Sequence, residues 1–218
     1  STGNVVDPNQ LVDQFGVDAI RYFLLREVPF GMDGDFSHNA LIGRINSDLA
    51  NNLGNLLNRT INMMERYHDK VVPKPTSPHE DADLKNEFRN GIDNVHKLYD
   101  DLAYNKILEN IWLLVDITNK YIDKNGPWNL VKSEEGKQRL ATVMYNTVEC
   151  LRTISLLIYP FMPKSAETMM KQLGIKTSIE EQGLDSLKTW GGVKPETIVQ
   201  PGAQLFPRID DKEVEKIL

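Results

Sequence analysis

A single cysteine, Cys150, in 218 residues rules out an internal disulfide and any cysteine-based zinc cluster. Cys150 falls inside an apolar helical pattern, so it reads as a buried, inert thiol rather than a nucleophile. Cysteine this sparse fits a reducing, cytoplasmic setting. The four histidines, His38, His68, His79 and His96, show no metal-ligand spacing, and no metal site is assigned. No apolar run is long enough to span a bilayer. The longest, 154–162, is interrupted by Pro160. Glycine-rich phosphate loops of the P-loop or dinucleotide type are missing. No Ser–His–Asp or Cys–His set is suggested by spacing. The carboxylates are plentiful but fall on polar helix faces. Basic charge is also short: 25 Lys and Arg stand against 31 Asp and Glu, a net charge of −6. That excludes strong non-specific attraction to nucleic acid, while leaving room for a local basic patch.

What is present is an ordinary globular composition, 40% hydrophobic and 26% charged, arranged at helical spacing. Asp7-Pro8 starts a short helix over 8–15 that Gly16 stops, and 17–28 forms a second, with Ile20, Phe23 and Leu24 inward. After a loop over 29–36, Ser37 is placed to cap a long helix over about 39–69. Its apolar stripe is Leu49, Leu53, Leu56, Thr60, Met63, Met64 and Tyr67. Its polar face is Arg44, Asp48, Asn51, Asn55, Arg59, Asn62 and Arg66. Three prolines within 71–78 end it. Helices follow over about 80–103 and 105–125, the second closed by Gly126-Pro127. A long amphipathic helix over 133–159, with a weak Ser-x-x-Gly start, leads through the kink Pro160–Pro163 to a short helix over 164–173. From Trp190 onward the chain is turn-rich, with one β-branched stretch at 197–199, and 211–218 is either a helical turn or a frayed end. The expected architecture is mainly all-α: an antiparallel helix bundle with a short helical connecting element before it and an extended tail after it.

Two features suit recognition. Asn55 and Arg59 lie four apart and so share one helix face, extended by Asn51, Asn58 and Asn62. Asparagine is a poor helix former, so this run needs a reason. An amide supplies both donor and acceptor and an arginine a planar fork, a pairing that suits the edge of an unpaired base. A solvated face, or a hydrogen-bond ladder between helices, accounts for the same residues. The second feature is Gly126-Pro127-Trp128 at a helix end, with Lys120, Lys124 and Lys132 near in sequence. A tryptophan on a rigid turn can act as a stacking platform for a base, or fold back as a lid on the bundle.

The chain as a whole resembles the methionyl-tRNA synthetases, class I aminoacyl-tRNA synthetases. The likeness rests on STGNVVDP at 1–8, RYFLLREVPFGMDGDFS at 21–37, LANNLGNLLNR at 49–59, NKYIDKNGPW at 119–128, and the tail 191–210 with LFPRI. The first and third occur also in the leucine, isoleucine, valine and cysteine enzymes, and the others favour methionine. The resemblance implies that the bundle reads the CAU anticodon of methionine tRNA, with Asn55, Arg59, Pro127 and Trp128 as the anticodon-binding residues. It makes Ser1 the last residue of the Lys-Met-Ser-Lys-Ser signature loop. Residues 1–36 become the remnant of that loop plus a stem-contact element, 37–175 the anticodon-binding bundle, and 176–218 a tail packing back on it. ATP and the methionine pocket would belong to a catalytic domain of the same protein that this chain does not contain, and 1–7 would lack a defined position without it. The alternatives are an anticodon bundle of a leucine, isoleucine, valine or cysteine enzyme, or a helical protein-interaction module with no RNA role. The last expects Trp128 far from the Asn/Arg face.

On this reading the chain alone catalyses no methionine-dependent pyrophosphate exchange. Reproducible activity above a heat-killed control, in two independent preparations, would contradict it.

Overall fold

Side-chain caps and left-handed turns set several of the helix ends. The computed structural model of the chain describes residues 7–28, 31, 36–77 and 81–210. Asp7 accepts the Asn9 N–H at 2.9 Å and starts α1 (Pro8–Phe15), which stops at Gly16. There α2 (Val17–Glu27) begins. Ser37 caps α3 (His38–Arg44) by accepting from the Ala40 N–H. α3 runs without a break through a π-helical stretch, Ile45–Gly54, into α4 (Asn55–His68). α4 ends where Asp69 and Lys70 turn left-handed. α5 (Ala82–Asp100) and α6 (Tyr104–Asn125) follow and pack along each other. Then come the single turn α7 (Pro127–Leu130), α8 (Glu134–Ile158) and α9 (Pro163–Gln172). The Ser-x-x-Gly start of α8 is a working cap, with Ser133 Oγ accepting the Gly136 N–H at 3.1 Å.

Residues 176–189, the first part of the expected tail, where no helix was expected, form α10 (Ile179–Gln182) and a 3₁₀ turn, Leu184–Lys188. A reciprocal Ser178/Glu181 capping box starts α10. Among the described residues the only β pairing is an isolated antiparallel bridge, Val71 to Ile198, at the β-branched stretch. The mainly all-α expectation holds. The expectations for 1–6 and 211–218 lie outside the described residues, while Asp7 has the defined role of a cap.

Two expectations are corrected. Leu24 is 48% exposed rather than inward, because α2 buries Ala19, Ile20, Tyr22 and Phe23 and turns Leu24 away from them. α8 is not amphipathic over most of its length: every residue from Thr142 to Ile158 is buried. It is the central helix, packed by α4, α6, α7, α9 and the 3₁₀ turn. A helix covered on all sides must satisfy its polar groups internally. Thr147 and Ser155 do so by donating to the carbonyls of Val143 and Leu151.

Glu149 and Arg152 are the costly case, each side chain only 1% exposed and paired at 2.7 Å. Arg152 Nη1 also donates to Gln182 Oε1 and Ser186 Oγ. The Glu149 carboxylate accepts the backbone N–H groups of Gly191, Gly192 and Val193, at 3.2, 3.1 and 2.8 Å. Tyr145 donates to the Val193 carbonyl at 2.8 Å. The buried carboxylate thus pins the turn-rich tail across α8. Gly192 has to be glycine there, since a Cβ would lie 2.4 Å from Arg152 Cζ. Further along, Gln172 donates to the Ala203 carbonyl at 2.9 Å, and the Asn46 amide exchanges two hydrogen bonds with the Ile209 backbone.

α2 ties the front of the chain to the same bundle. Arg21 donates to the carbonyls of Pro160 and Phe161 at the kink, and Asp18 accepts the Ser165 N–H at 2.6 Å in the first turn of α9. Tyr22 packs its ring 4.4 Å from Trp112 and donates to Asp48, whose own carbonyl accepts the Trp112 indole N–H.

Removing Glu149 strands the Arg152 charge and three N–H groups. Glu149→Ala is expected to lower unfolding stability by about 3–5 kcal/mol, the scale for breaking a buried pair from one side. Urea unfolding followed by circular dichroism measures it, and a loss no larger than that of an exposed alanine substitution would contradict the pinning role.

Candidate nucleic-acid interface

The polar face of the long helix divides in two where it meets α6. Asn52 is half-buried. It donates to Asp116 at 2.8 Å and accepts from Asn119 at 2.9 Å, which makes it a rung between helices. One such rung is what the inter-helix ladder alternative expects. Asn51, Asn55, Asn58 and Asn62 are exposed. Asn62 donates to Asn58 at 3.4 Å, and neither Asn51 nor Asn55 reaches across to α6.

The π-helical stretch ends immediately before Asn55, whose N–H still reaches back five residues to the Ala50 carbonyl. Wide turns of this kind are frequent at functional sites. The large buried side chains inside it, Ile45, Leu49 and Leu53, are four apart, with Gly54 buried beside the last. No residue type in this stretch announces a wide turn.

Arg59 lies one turn beyond Asn55, on the border with α6. Its Nη2 is 2.6 Å from Asp123 Oδ1, and its guanidinium carbon stands 5.3 Å from the centre of the Trp128 ring, a cation–π distance. Asp123 went unassigned in the sequence reading. The signal for it was there: Asp116, Asn119 and Asp123 fall on one face of α6 and meet Asn52 and Arg59, which are likewise seven apart.

Trp128 is 41% exposed and is not a lid on the core. Gly126 closes α6 in the left-handed conformation, φ +54°, with its N–H on the Ile122 carbonyl. Pro127, buried, supplies the first position of α7. The Asn129 and Val131 N–H groups close the turn onto the Gly126 and Pro127 carbonyls. A side chain on Gly126 would come within 3.8 Å of the Trp128 ring, so the indole lies over the glycine. Lys120 and Lys124 are exposed on α6, and Lys132 donates to Asn129 at 2.9 Å. The result is an aromatic platform with an arginine fork beside it, an asparagine one turn back, and exposed lysines on α6. Arg59 and Trp128 are in contact, and Asn55 shares Arg59's helix face. Ser1 lies outside the described residues.

Behind the platform lies a polar network. Arg139 pairs with both oxygens of Asp81 and also donates to Asn125. Tyr121 and Asn146 complete the ring around Asp81. Burial pushes the Asp81 carboxyl up, but hydrogen bonds from Arg139, Tyr121 and Asn146 outweigh it and hold the group below its ordinary value. Burial pushes the Tyr121 phenol far up and the Cys150 thiol well above its usual range, so both stay protonated. Among the described residues no group of three or more His, Cys, Asp or Glu could hold a metal ion, and no helix is long and apolar enough to cross a membrane.

The chain as a whole is similar to known proteins. Residues 1–61 match the family model of class I tRNA synthetases (M), and residues 72–217 match that of the anticodon binding domain of methionyl tRNA ligase. The chain is 54% identical over 219 residues to the methionine–tRNA ligase of Caldanaerobacter subterraneus subsp. tengcongensis, covering all of this chain and 34% of that protein. It is 44% identical over 219 residues to that of Clostridium tetani, again covering all of this chain and 34% of the relative. The chain therefore spans about a third of the length of these curated relatives. Among solved structures it resembles Mycobacterium tuberculosis methionyl-tRNA synthetase. The apo form gives a TM-score of 0.83 at 38% identity, covering 94% of this chain and 41% of that one. The complex with methionyl-adenylate gives 0.84 at 39%, covering 95% and 40%.

A carboxyl whose folded value is depressed stabilises the fold above its ordinary value and gives that contribution up as the pH falls through its folded value. The stability advantage of wild type over Asp81→Asn is therefore expected to be full above about pH 5 and to shrink below about pH 4. Urea midpoints for both proteins from about pH 6 down to about pH 3 test it, and a constant difference over that range would contradict the ionised network.

Proposed function

The chain belongs to the methionyl-tRNA ligase family, and from that premise we propose that it is the part of a methionine–tRNA ligase that reads the CAU anticodon of methionine tRNA. The observation that carries the proposal is the contact between Arg59 and Trp128, which places a fork of donors beside an exposed aromatic face. An unstacked base can lie on the indole, and Arg59 and Asn55 can hydrogen-bond to base edges, the mode by which single-stranded RNA is read. Pro127 fixes the turn that carries the ring. Lys120 and Lys124 offer charge to the phosphates. The contact also speaks against a helical interaction module, for which these residues have no reason to meet.

In this reading residues 1–36 are the end of the signature loop and a stem-contact element, 37–175 the anticodon-binding bundle, and 176–218 its tail. Activation of methionine with ATP belongs to the catalytic domain of the whole ligase, which works in the cytoplasm. The bundle contributes selection of the tRNA rather than chemistry.

Titration of a CAU stem-loop and a single-base-changed stem-loop, at fixed salt, tests the proposal. Trp128→Ala is expected to weaken CAU binding by about 1–3 kcal/mol, the scale of one lost stacking platform. Arg59→Ala should weaken binding and relax discrimination at one base, since base contacts carry sequence information and phosphate contacts do not. Lys124→Ala should weaken both loops alike and flatten the salt dependence. Wild-type protein unable to tell the two loops apart, or Trp128→Ala binding CAU as wild type does, would refute it.

A further inference from the structure

We infer that Arg139 and Asn125 are positioning residues for Trp128: from behind the platform they lock the end of α6, so that the indole is presented in one orientation before RNA arrives. The inference rests on the anticodon reading above and adds to it two residues that sit outside the face itself.

α7 is a single turn and cannot hold an orientation by itself, because a helix so short lacks the bonds to offset its nucleation. It packs on α8, and the residues before it set the direction in which it leaves α6. Asn125 is the last residue of α6, three before Trp128, and its side chain is held from both ends. Its Nδ2 donates to the Tyr121 carbonyl at 2.8 Å, and its Oδ1 accepts from Arg139 Nε and Nη2 at 3.1 and 2.6 Å. Arg139 stands in the second turn of α8 and is itself held by Asp81 through Nη1 and Nη2, at 2.8 and 2.6 Å. Asp81 accepts in addition from Tyr121 at 2.8 Å and Asn146 at 3.0 Å, and Asn146 accepts the Trp190 indole N–H at 3.2 Å. The chain of bonds therefore runs from the tail and the start of α5, through α8, to the last residue before the Gly126-Pro127-Trp128 turn.

The geometry asks for arginine in particular. One planar fork meets an amide oxygen and both oxygens of a carboxylate at once. A lysine, a compact point charge with a single nitrogen, cannot span the two. The Gly126 N–H already caps α6 on the Ile122 carbonyl, so helix termination does not require this grip. Its effect is to remove rotation at the junction, which holds the indole over Gly126 and against Arg59. Ordering done in the free protein need not be done on binding, and that appears as affinity.

The test is a double-mutant cycle on the 218-residue chain, with affinity for a CAU anticodon stem-loop as the readout and thermal unfolding of every variant alongside. Arg139→Lys is expected to weaken binding ~5-fold or more where Trp128 is present, and by less than ~2-fold in a Trp128→Ala background, because coupled residues are non-additive. The salt dependence should stay unchanged, since no phosphate contact is lost. Equal losses in both backgrounds, no loss in either, or an altered salt slope would overturn the positioning role. If Arg139→Lys does not fold, Asn125→Ala, which leaves the Asp81–Arg139 pair in place, decides by the same criteria. Wild type that fails to prefer CAU over a single-base-changed loop is a different result: it removes the anticodon reading, and this inference falls with it.

Discussion

A carboxylate in the middle of a helix with no solvent on any side is the constraint around which this bundle is arranged. Glu149 lies near the centre of α8, and from Thr142 to Ile158 every residue of α8 is buried. A charge in that position is tolerable only if it is both paired and fully hydrogen-bonded. Arg152, one turn on, supplies the pair. The three consecutive N–H groups of Gly191, Gly192 and Val193 supply the rest. The tail has no regular structure to satisfy its own backbone there, and the helix has no water to satisfy its carboxylate. Each meets the other's need. The same pair reaches Gln182 and Ser186, which fixes the segment between α9 and the tail as well.

With α8 fixed, the outer helices have a common reference. α4 and α6 both pack on it, and the long helix meets α6 along a polar seam, Asn52 of the π-helical stretch with Asp116 and Asn119, then Arg59 of α4 with Asp123. The seam opens outward at the end of α6, where Gly126 turns left-handed and Trp128 is set down beside Arg59. The proposed reading surface is thus the exposed end of an inter-helix ladder, and not a separate feature added to a helix face. Its inner end is the Asp81–Arg139–Asn125 network, again built on α8. Recognition in this account is placed by packing at one remove.

Much of this was legible in the sequence because it is local. Asp7, Ser37, Ser133 and the glycines at 16, 126 and 174 mark helix ends by chemistry that acts within a turn, and the structure places the ends there. The inward stripe of α4 could be read from spacing alone. What could not be read is non-local. An alternation of apolar and polar residues looks amphipathic whether the polar ones meet water or, as in α8, meet other helices. Leu24 fails for the converse reason, since the neighbours that decide which apolar face wins are remote in sequence. The π-helical stretch went unread because its large buried residues, Ile45, Leu49 and Leu53, keep the spacing of an ordinary helix. At the site, Asn55, Arg59 and the Pro127-Trp128 turn stood out by residue type. Asp123, Asn125, Arg139 and Asp81 did not, because each is an ordinary surface residue until the fold brings its partner.

The measurement closest to the central claim is a crystal structure of the chain bound to a CAU anticodon stem-loop. The account requires a base flat against the outer face of the Trp128 indole, with Arg59 and Asn55 within about 3.2 Å of base-edge atoms. A stem-loop seated elsewhere on the bundle, or one on which Trp128 touches nothing and Arg59 meets only phosphate, would contradict it.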